Sequence, residues 1–321
     1  MVKIETQSFA DFYTLGNELG RGRFAKVKEA IRISDGIIFA VKIQSKRRRG
    51  RDARSALLKE IDLHEMCSTH PRFPKLHQVF ETTGQIMIVL DYASGGEIFP
   101  YCVGDFGFER FTETDVIRYM HQVLEGIRFL HCNCIAHLDI KPQNILLSAK
   151  YPIGDIMIVD FGLAKSLDSA GDVRELIGTP DYVAPEILNY EPISLAADVW
   201  SLGVLSYVMI TGLSPFCGDT KESTFLNVTK VNYEFPQSVF EQVSQQAIDF
   251  IQKTLVLKPS KRLSIEECLE HDWFNPKTPL SPCSLSWTSL DGDSPQSSLS
   301  SSNDSLLSTD DGKENNGLFA N

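Results

Sequence analysis

The chain lacks the features that define several broad classes. No run approaches the roughly 18 consecutive apolar residues a spanning helix needs, so a helical membrane protein is not expected. The opening MVKIETQSFADF has no apolar signal core. The seven cysteines include no CxxC pair, and their odd number argues against a secreted disulfide framework. Cys132 and Cys134, the nearest pair, are spaced CxC, which suits zinc poorly. Positive charge is short too. Lys and Arg total 31 against 42 Asp and Glu, a net charge of −11, which disfavours nucleic acid and anionic membrane as partners. Internal repeats are absent. These exclusions leave a soluble intracellular protein, cytoplasmic, nuclear or both.

A length of 321 residues fits two domains, or two lobes and a tail. Hydrophobic residues at 42% and charged residues at 23% are enough for a sizeable core. The composition changes near Pro276. From there on, 12 of 46 residues are Ser, and two lysines face six acids. Such a segment buries too little apolar surface to offset its ordering entropy, so disorder is expected. The reading divides the chain into an N-terminal extension (1–12), a folded region (13–274) and an acidic, Ser-rich tail (275–321).

Strand patterns open the folded region at 12–19, 26–33 and 37–43, with the turn signal Ser34-Asp35-Gly36 between the last two. From about Asp52 the pattern turns helical, with Leu57, Ile61 and His64 on one face. IMIVLDY (86–92) reads as a buried strand. Helical patterns then dominate, at 112–131, 194–211, 244–256 and 264–272. A small β-rich lobe (13–91) followed by a larger α-rich lobe (92–274) is an α+β arrangement.

Four stretches suggest chemistry. In the first turn, Gly20-Arg21-Gly22-Arg23-Phe24-Ala25, glycines let backbone N–H groups approach phosphate oxygens. Alone this is equally a tight hairpin. Lys42 lies inside an apolar strand and needs a partner. Glu60, between Leu57, Ile61 and His64, is available. The bland alternative makes both residues solvated charges at element edges. Next come His137-Leu138-Asp139-Ile140-Lys141-Pro142-Gln143-Asn144, Asp160-Phe161-Gly162, and Gly178-Thr179-Pro180 running to Ala184-Pro185-Glu186. Asp and Asn oxygens are the hard donors Mg²⁺ prefers, and one Asp is left over to orient a nucleophile. Six such fixed positions at about 6% usage each coincide by chance at roughly 10⁻⁷.

These motifs, in this order, resemble a eukaryotic protein kinase catalytic domain over residues 13–274. Lys141-Pro142 and Gly178-Thr179-Pro180 are the Ser/Thr-type forms. Leu138, the basic run Lys46 to Arg51 and GTPDYVAPEILNYEPIS are similar to the death-associated protein kinases, most closely their short apoptosis-inducing relatives. The resemblance implies a bilobal fold, ATP and Mg²⁺ as cofactors, and protein Ser/Thr hydroxyls as acceptors. It implies that Leu19 lines the nucleotide site, that the backbone of 20–25 covers the phosphates, and that Val27 and Ala40 roof the adenine above Leu146 and Val159. Leu90 is then the gatekeeper, and the backbone of Asp91 and Ala93 meets the adenine edge, with Glu97 nearby. Lys42, held by Glu60, grips the phosphates. Asp139 takes the hydroxyl proton, Lys141 neutralises the transferring phosphate, and Asn144 and Asp160 hold metal. Asp198 anchors the catalytic loop, Glu186 pairs with Arg262, and Thr179 stands near Asp139 and Lys141.

The departures carry expectations of their own. Ala25 replaces a third glycine. Leu138 replaces the arginine that often receives a loop phosphate, so activity is expected without activation-loop phosphorylation. His64 stands where an apolar residue is usual, and reads either as a neutral core histidine or as a pH-sensitive weak point. Gln143 and Val208 stand where strongly arginine-directed kinases often have acids, while Glu97 is retained, which implies a diluted preference for basic residues. The run 46–51 is a solvated loop, a docking surface or a nuclear signal. No basic amphipathic helix follows Phe274, so calmodulin is not an expected partner. Myosin regulatory light chain is a substrate implied by resemblance only. In the tail, Thr278-Pro279, Ser281-Pro282 and Ser294-Pro295 suggest proline-directed phosphosites, and Lys313-Glu314-Asn315 spells a degron. A pseudokinase scaffold is the alternative from another class; Lys42, Asp139, Asn144 and Asp160, all present, argue against it.

Overall fold

A computed structural model describes residues 2–22, 25–48, 50–104, 107–167 and 172–275. The expected tail, with its candidate phosphosites and degron, lies outside the described residues, as do Arg23, Phe24 and Ser169.

The small lobe is built on one six-stranded sheet. Its strands are β1 (Ile4–Glu5), β2 (Tyr13–Arg21), β3 (Ala25–Arg32) and β4 (Ile38–Ser45), followed after a short hairpin by β7 (Leu76–Glu81) and β8 (Gln85–Leu90). The order across the sheet is β1-β7-β8-β4-β3-β2. The hairpin is β5 (Arg47–Arg48) with β6 (Arg51–Asp52), paired Arg47 to Asp52. Within the basic run, Arg47–Arg48 is therefore strand-paired with Arg51–Asp52. The first residue of the run is tethered, because Lys46 Nζ donates to Glu81 Oε1 at 2.7 Å and to the Thr82 carbonyl at 2.9 Å.

Helix α1 (Arg54–Cys67) packs Leu57 and Ile61 against residues of β7 and β8. The face expected from its apolar spacing is the buried one, with Leu57, Glu60, Ile61, His64 and Cys67 all inside. Its start has no side-chain cap, but Arg54 clamps Glu81 with two bonds of 2.7 and 2.8 Å. Strand β7 was not expected from the sequence. LHQVFE offers little alternation, yet it pairs antiparallel with β8 and buries Leu76, Val79 and Phe80.

The large lobe begins with β9 (Gly96–Glu97) and α2 (Phe99–Val103) and is organised around α3 (Glu113–Cys132). A capping box of Thr112 and Asp115 starts α3, and its apolar face is buried. Short strands follow: β10 (Ile135–Ala136), β11 (Ile145–Leu147), β12 (Ile156–Ile158) and β13 (Lys165–Ser166). Then come α4 (Pro185–Leu188), α5 (Ala196–Thr211), α6 (Lys221–Lys230), α7 (Gln237–Phe240), α8 (Gln245–Thr254) and α9 (Ile265–Glu270). Helix α5 is buried on nearly every side and forms the centre of the lobe. Arg262 is sealed against Glu186 with two bonds of 2.7 Å, and the two side chains are 0% and 1% exposed. It joins the start of α4 to the segment before α9.

Candidate active site

The cleft residues come from both lobes. On β4, Lys42 pairs with Val27 of β3 on one side and Ile88 of β8 on the other, so its backbone is held between two neighbouring strands. Its Nζ donates to Glu60 Oε1 at 2.8 Å and to Asp160 Oδ1 at 2.9 Å. Burial opposes the ammonium charge, but Asp160 and Glu60 outweigh it and push the Lys42 pKa above its ordinary value. The same lysine, working against burial, holds Asp160 down at about 2. Both groups are therefore charged at neutral pH.

Sequence reasoning missed the second clamp on Glu60. Gln44 is 2% exposed, and its Nε2 reaches both Glu60 oxygens at 3.2 Å. The signal was present, since Gln44 lies two residues from Lys42 and so on the same face of the strand.

In the large lobe, the segment from His137 to Asn144 is anchored from below by Asp198 on α5. Asp198 accepts from the His137 and Leu138 amides at 2.8 Å each and contacts His131 Nε2 at 2.9 Å. Its complete burial would raise the carboxyl pKa, but the bond and charge of His131 and the charge of His137 bring it below normal. Leu138 is buried at φ 66°, a left-handed conformation that costs a non-glycine residue about 1–3 kcal/mol. The two Asp198 bonds hold it there. Asp160 shares that conformation, at φ 68°.

Asp139 gathers three partners. Thr179 Oγ1 donates to its Oδ1 at 2.8 Å, Lys141 Nζ approaches its Oδ2 at 2.9 Å, and Asn144 Nδ2 donates to its Oδ2 at 2.8 Å. Lys141 Nζ also donates to Thr179 Oγ1 at 2.8 Å. Residues 40 positions apart thus form one closed polar set. Phe161, beside Asp160, is buried between His64 (ring centroids 5.2 Å apart), Phe73 (5.6 Å) and His137 (5.7 Å). Phe73 and His137 were not expected as its neighbours.

Between the lobes, Leu90 ends β8 opposite Ala40, and the Asp91 carboxylate takes the Lys75 amide at 2.9 Å and meets His77 Nε2 at 2.6 Å. Ala93 closes a turn by accepting from the Gly96 amide at 3.2 Å. Glu97 pairs with Leu146 of β11; desolvation pushes its carboxyl pKa up against the pull of Lys141. The Val159 amide donates to the Asn144 carbonyl at 3.0 Å. In the small lobe, Leu19, Gly20 and Arg21 end β2, and the Gly22 amide donates to the Ala25 carbonyl at 2.9 Å to close the turn. Arg21 is paired to Glu18 at 2.8 Å.

The arrangement fits a nucleotide with a divalent cation. Among the described residues a Cβ placed on Gly20 would meet nothing within 4 Å, so no described packing contact explains that glycine. Asn144 spends its amide nitrogen on Asp139, which leaves its oxygen as a donor. Among the described residues no cluster of three or more His, Cys, Asp or Glu could hold an ion alone. The oxygens of Asn144 and Asp160 would instead suit Mg²⁺, which binds through one or two protein oxygens and takes the rest from phosphate and water.

A sheet lobe over a helical lobe, with an ion-paired Lys–Glu above and an Asp–Lys–Asn set below, is the architecture of a protein kinase domain. Comparison with known proteins agrees. The protein kinase domain model matches residues 13–274. Serine/threonine-protein kinase 17A of the rabbit Oryctolagus cuniculus is 50% identical over 273 residues, 84% of this chain and 68% of that protein. Death-associated protein kinase 2 of Mus musculus is 40% identical over 282 residues, 86% of this chain and 75% of that one. Among solved structures, the twitchin kinase region of C. elegans aligns with a TM-score of 0.78 at 31% identity, covering 88% of this chain and 50% of that chain. The chain belongs to the protein kinase family, within the death-associated serine/threonine kinases. It is a Ser/Thr protein kinase, of a family that uses ATP and Mg²⁺.

Proposed function

We propose that Asp139 receives the proton of a substrate Ser or Thr hydroxyl while Lys42 and Lys141 bind and neutralise the phosphates of ATP. Asn144 and Asp160 would hold Mg²⁺, which would supply positive charge to offset that of the phosphates. Leu19, residues 20–25, Val27, Ala40, Leu90, Asp91, Ala93, Glu97, Leu146 and Val159 form the nucleotide cleft in this reading. The observation that carries it is the formed Lys42–Glu60 and Lys42–Asp160 pairs above the closed Asp139–Lys141–Thr179 set. Catalysis is then positioning and charge neutralisation by groups already in place.

This chain is proposed to act without activation-loop phosphorylation. Leu138 offers a loop phosphate no charge, and its side chain is 5% exposed. The described loop residues have local anchors instead. Lys165 pairs with Glu175 at 2.8 Å, Arg174 with Asp172 at 3.1 Å, and the Ile193 amide donates to the Val173 carbonyl at 2.9 Å. A single exposed phosphate pairing is worth up to about 1 kcal/mol, well below the roughly 5 kcal/mol of a full population switch. Phosphatase-treated protein and the Ser166→Ala, Ser169→Ala double variant should keep kcat/KM within about threefold. A loss beyond about tenfold in either, equivalent to roughly 1.4 kcal/mol, would reject the proposal.

Protein substrates follow from the family, and myosin regulatory light chain is the proposed one, in cell-death or cytoskeletal signalling in the cytoplasm or nucleus. The 46–52 hairpin, with Arg47 and Arg51 exposed, is the proposed docking surface for an acidic partner. Phosphorylation of an oriented peptide library, with light chain run alongside, tests the substrate reading. It is rejected if the light chain is a poorer substrate than the median library peptide.

A further inference from the structure

The kinase-domain match begins at residue 13, yet the residues before it are built into the small lobe. Strand β1 lies parallel to β7, with Ile4 opposite Val79 and Glu5 opposite Phe80, and forms one edge of the sheet. Val2 and Ile4 pack into the apolar cluster that contains Leu57 and Ile61 of α1 together with Val79, Ile86 and Leu90. The Val2 amide donates to Asp62 Oδ1 on α1 at 3.3 Å. The far end of the extension is fixed as well. Ser8 and Asp11 close a capping box around Phe9–Asp11, and the rings of Phe9 and Phe12 sit 5.5 and 5.8 Å from that of Phe80.

These contacts bracket Glu60. Leu57, Ile61 and Asp62 lie three residues before it and one and two after it, all on the helix that presents Glu60 to Lys42. Other holds on α1 include the Arg54–Glu81 clamp at its start, the Lys42 and Gln44 bonds to Glu60, the His64 ring bonded to the Pro74 carbonyl at 2.9 Å and set edge-on to Phe161, and Cys67, Leu63 and Met66 packed in the large-lobe core. The apolar face beside Glu60 thus rests partly on the extension. Leu57 and Ile61 are 0% and 1% exposed. Without Val2 and Ile4 they would gain water contact, and the helix could relieve this by rolling, which carries Glu60 off Lys42. A two-residue strand is short enough to detach while the rest of the sheet stays folded.

We infer that residues 2–5 are an intramolecular brace, in which Val2 and Ile4 act as positioning residues that hold α1 where Glu60 meets Lys42. The brace acts on a helix that the kinase reading makes catalytic, so the test includes a readout independent of activity. In the full chain, deletion of residues 1–5 and the separate Ile4→Asp variant should speed amide exchange in α1 by at least tenfold, while α5 and α8 exchange as in wild type. Both should lower kcat/KM for ATP at least tenfold and leave KM for a peptide substrate within twofold. Ile4→Val should restore wild-type values, and Lys3→Ala, an exposed neighbour, should match wild type throughout. Unchanged exchange in α1, or acceleration spread equally through α5 and α8, overturns the brace. So does a loss of activity that Ile4→Val fails to restore. A wild-type chain without phosphotransfer would instead reject the kinase reading, and α1 exchange would still decide the brace.

Discussion

Replacing His64 with leucine should remove an acid-sensitive element from the interior. The residue is 6% exposed, its Nε2 donates to the Pro74 carbonyl at 2.9 Å, and its ring meets Phe161 edge-on at 5.2 Å. Burial is the largest influence on it. The Pro74 bond, Glu60 and Asp91 act in the opposite direction, Lys42 in the same one, and the result is a pKa lowered from 6.5 to about 4. A histidine with a depressed folded pKa contributes its full stability above the unfolded value and loses it as pH falls toward the folded one. The window is therefore pH 6.5 down to about 4. A displacement of that size corresponds to about 3 kcal/mol lost by wild type across the window. In the leucine variant the lost bond to Pro74 costs about 1 kcal/mol and the added apolar burial returns a similar amount, so the proteins should be close at pH 7. By pH 4.5 the variant should be the more stable by about 2–3 kcal/mol. His70 and His271, which burial also lowers, titrate in both proteins and cancel in the difference. Urea unfolding of both proteins at half-unit pH steps reads this directly. Parallel stability curves between pH 6.5 and 4.5 would refute a buried neutral His64.

Arg262→Ala should leave the Glu186 carboxylate buried without its partner, at a cost of about 3–5 kcal/mol; scanning calorimetry should show a melting temperature lower by on the order of 10 °C, and a drop under 2 °C would contradict a structural role for the pair. Lys42→Ala should abolish phosphotransfer while circular dichroism stays native, because Lys42 contacts Glu60 and Asp160 rather than the apolar core; turnover within tenfold of wild type would reject its assignment. A chain ending at Asn275 should keep the melting temperature and kcat of the full chain, and a large loss of either would show that the tail docks on the kinase.

The legible parts of the fold were those where apolar periodicity is strong. The face of Leu57, Ile61 and His64 is the buried face of α1, and the helix expected at 112–131 is Glu113–Cys132. Strands expected at 12–19, 26–33 and 37–43 lie at Tyr13–Arg21, Ala25–Arg32 and Ile38–Ser45. Elements without such a signal were missed. LHQVFE acquires its strand character from β8, and the two residues of β1 acquire theirs from β7. Helix α6 buries only Thr224 and Val228, too few to mark a face.

The motifs were legible one by one, but their convergence was not physically derivable. Lys42 and Asp160 meet across 118 positions, and Thr179 and Asp139 across 40. No local pattern encodes those distances, so a family resemblance was needed to group the residues. Leu138 shows the limit from the other side. Its identity suggested a missing phosphate receptor, while its buried left-handed backbone and bonds to Asp198 are visible only once α5 lies beneath the loop.

The proposed role of Asp139 is to serve phosphotransfer to Ser and Thr hydroxyls. It is tested most directly by following γ-phosphate transfer from ATP to matched Ser, Thr and Tyr peptides with wild type and Asp139→Asn. Transfer to the Ser and Thr peptides but not to Tyr by wild type, with a loss of about a thousandfold or more in the variant, is the expected result. A variant within tenfold of wild type, or equal transfer to the Tyr peptide, would contradict it.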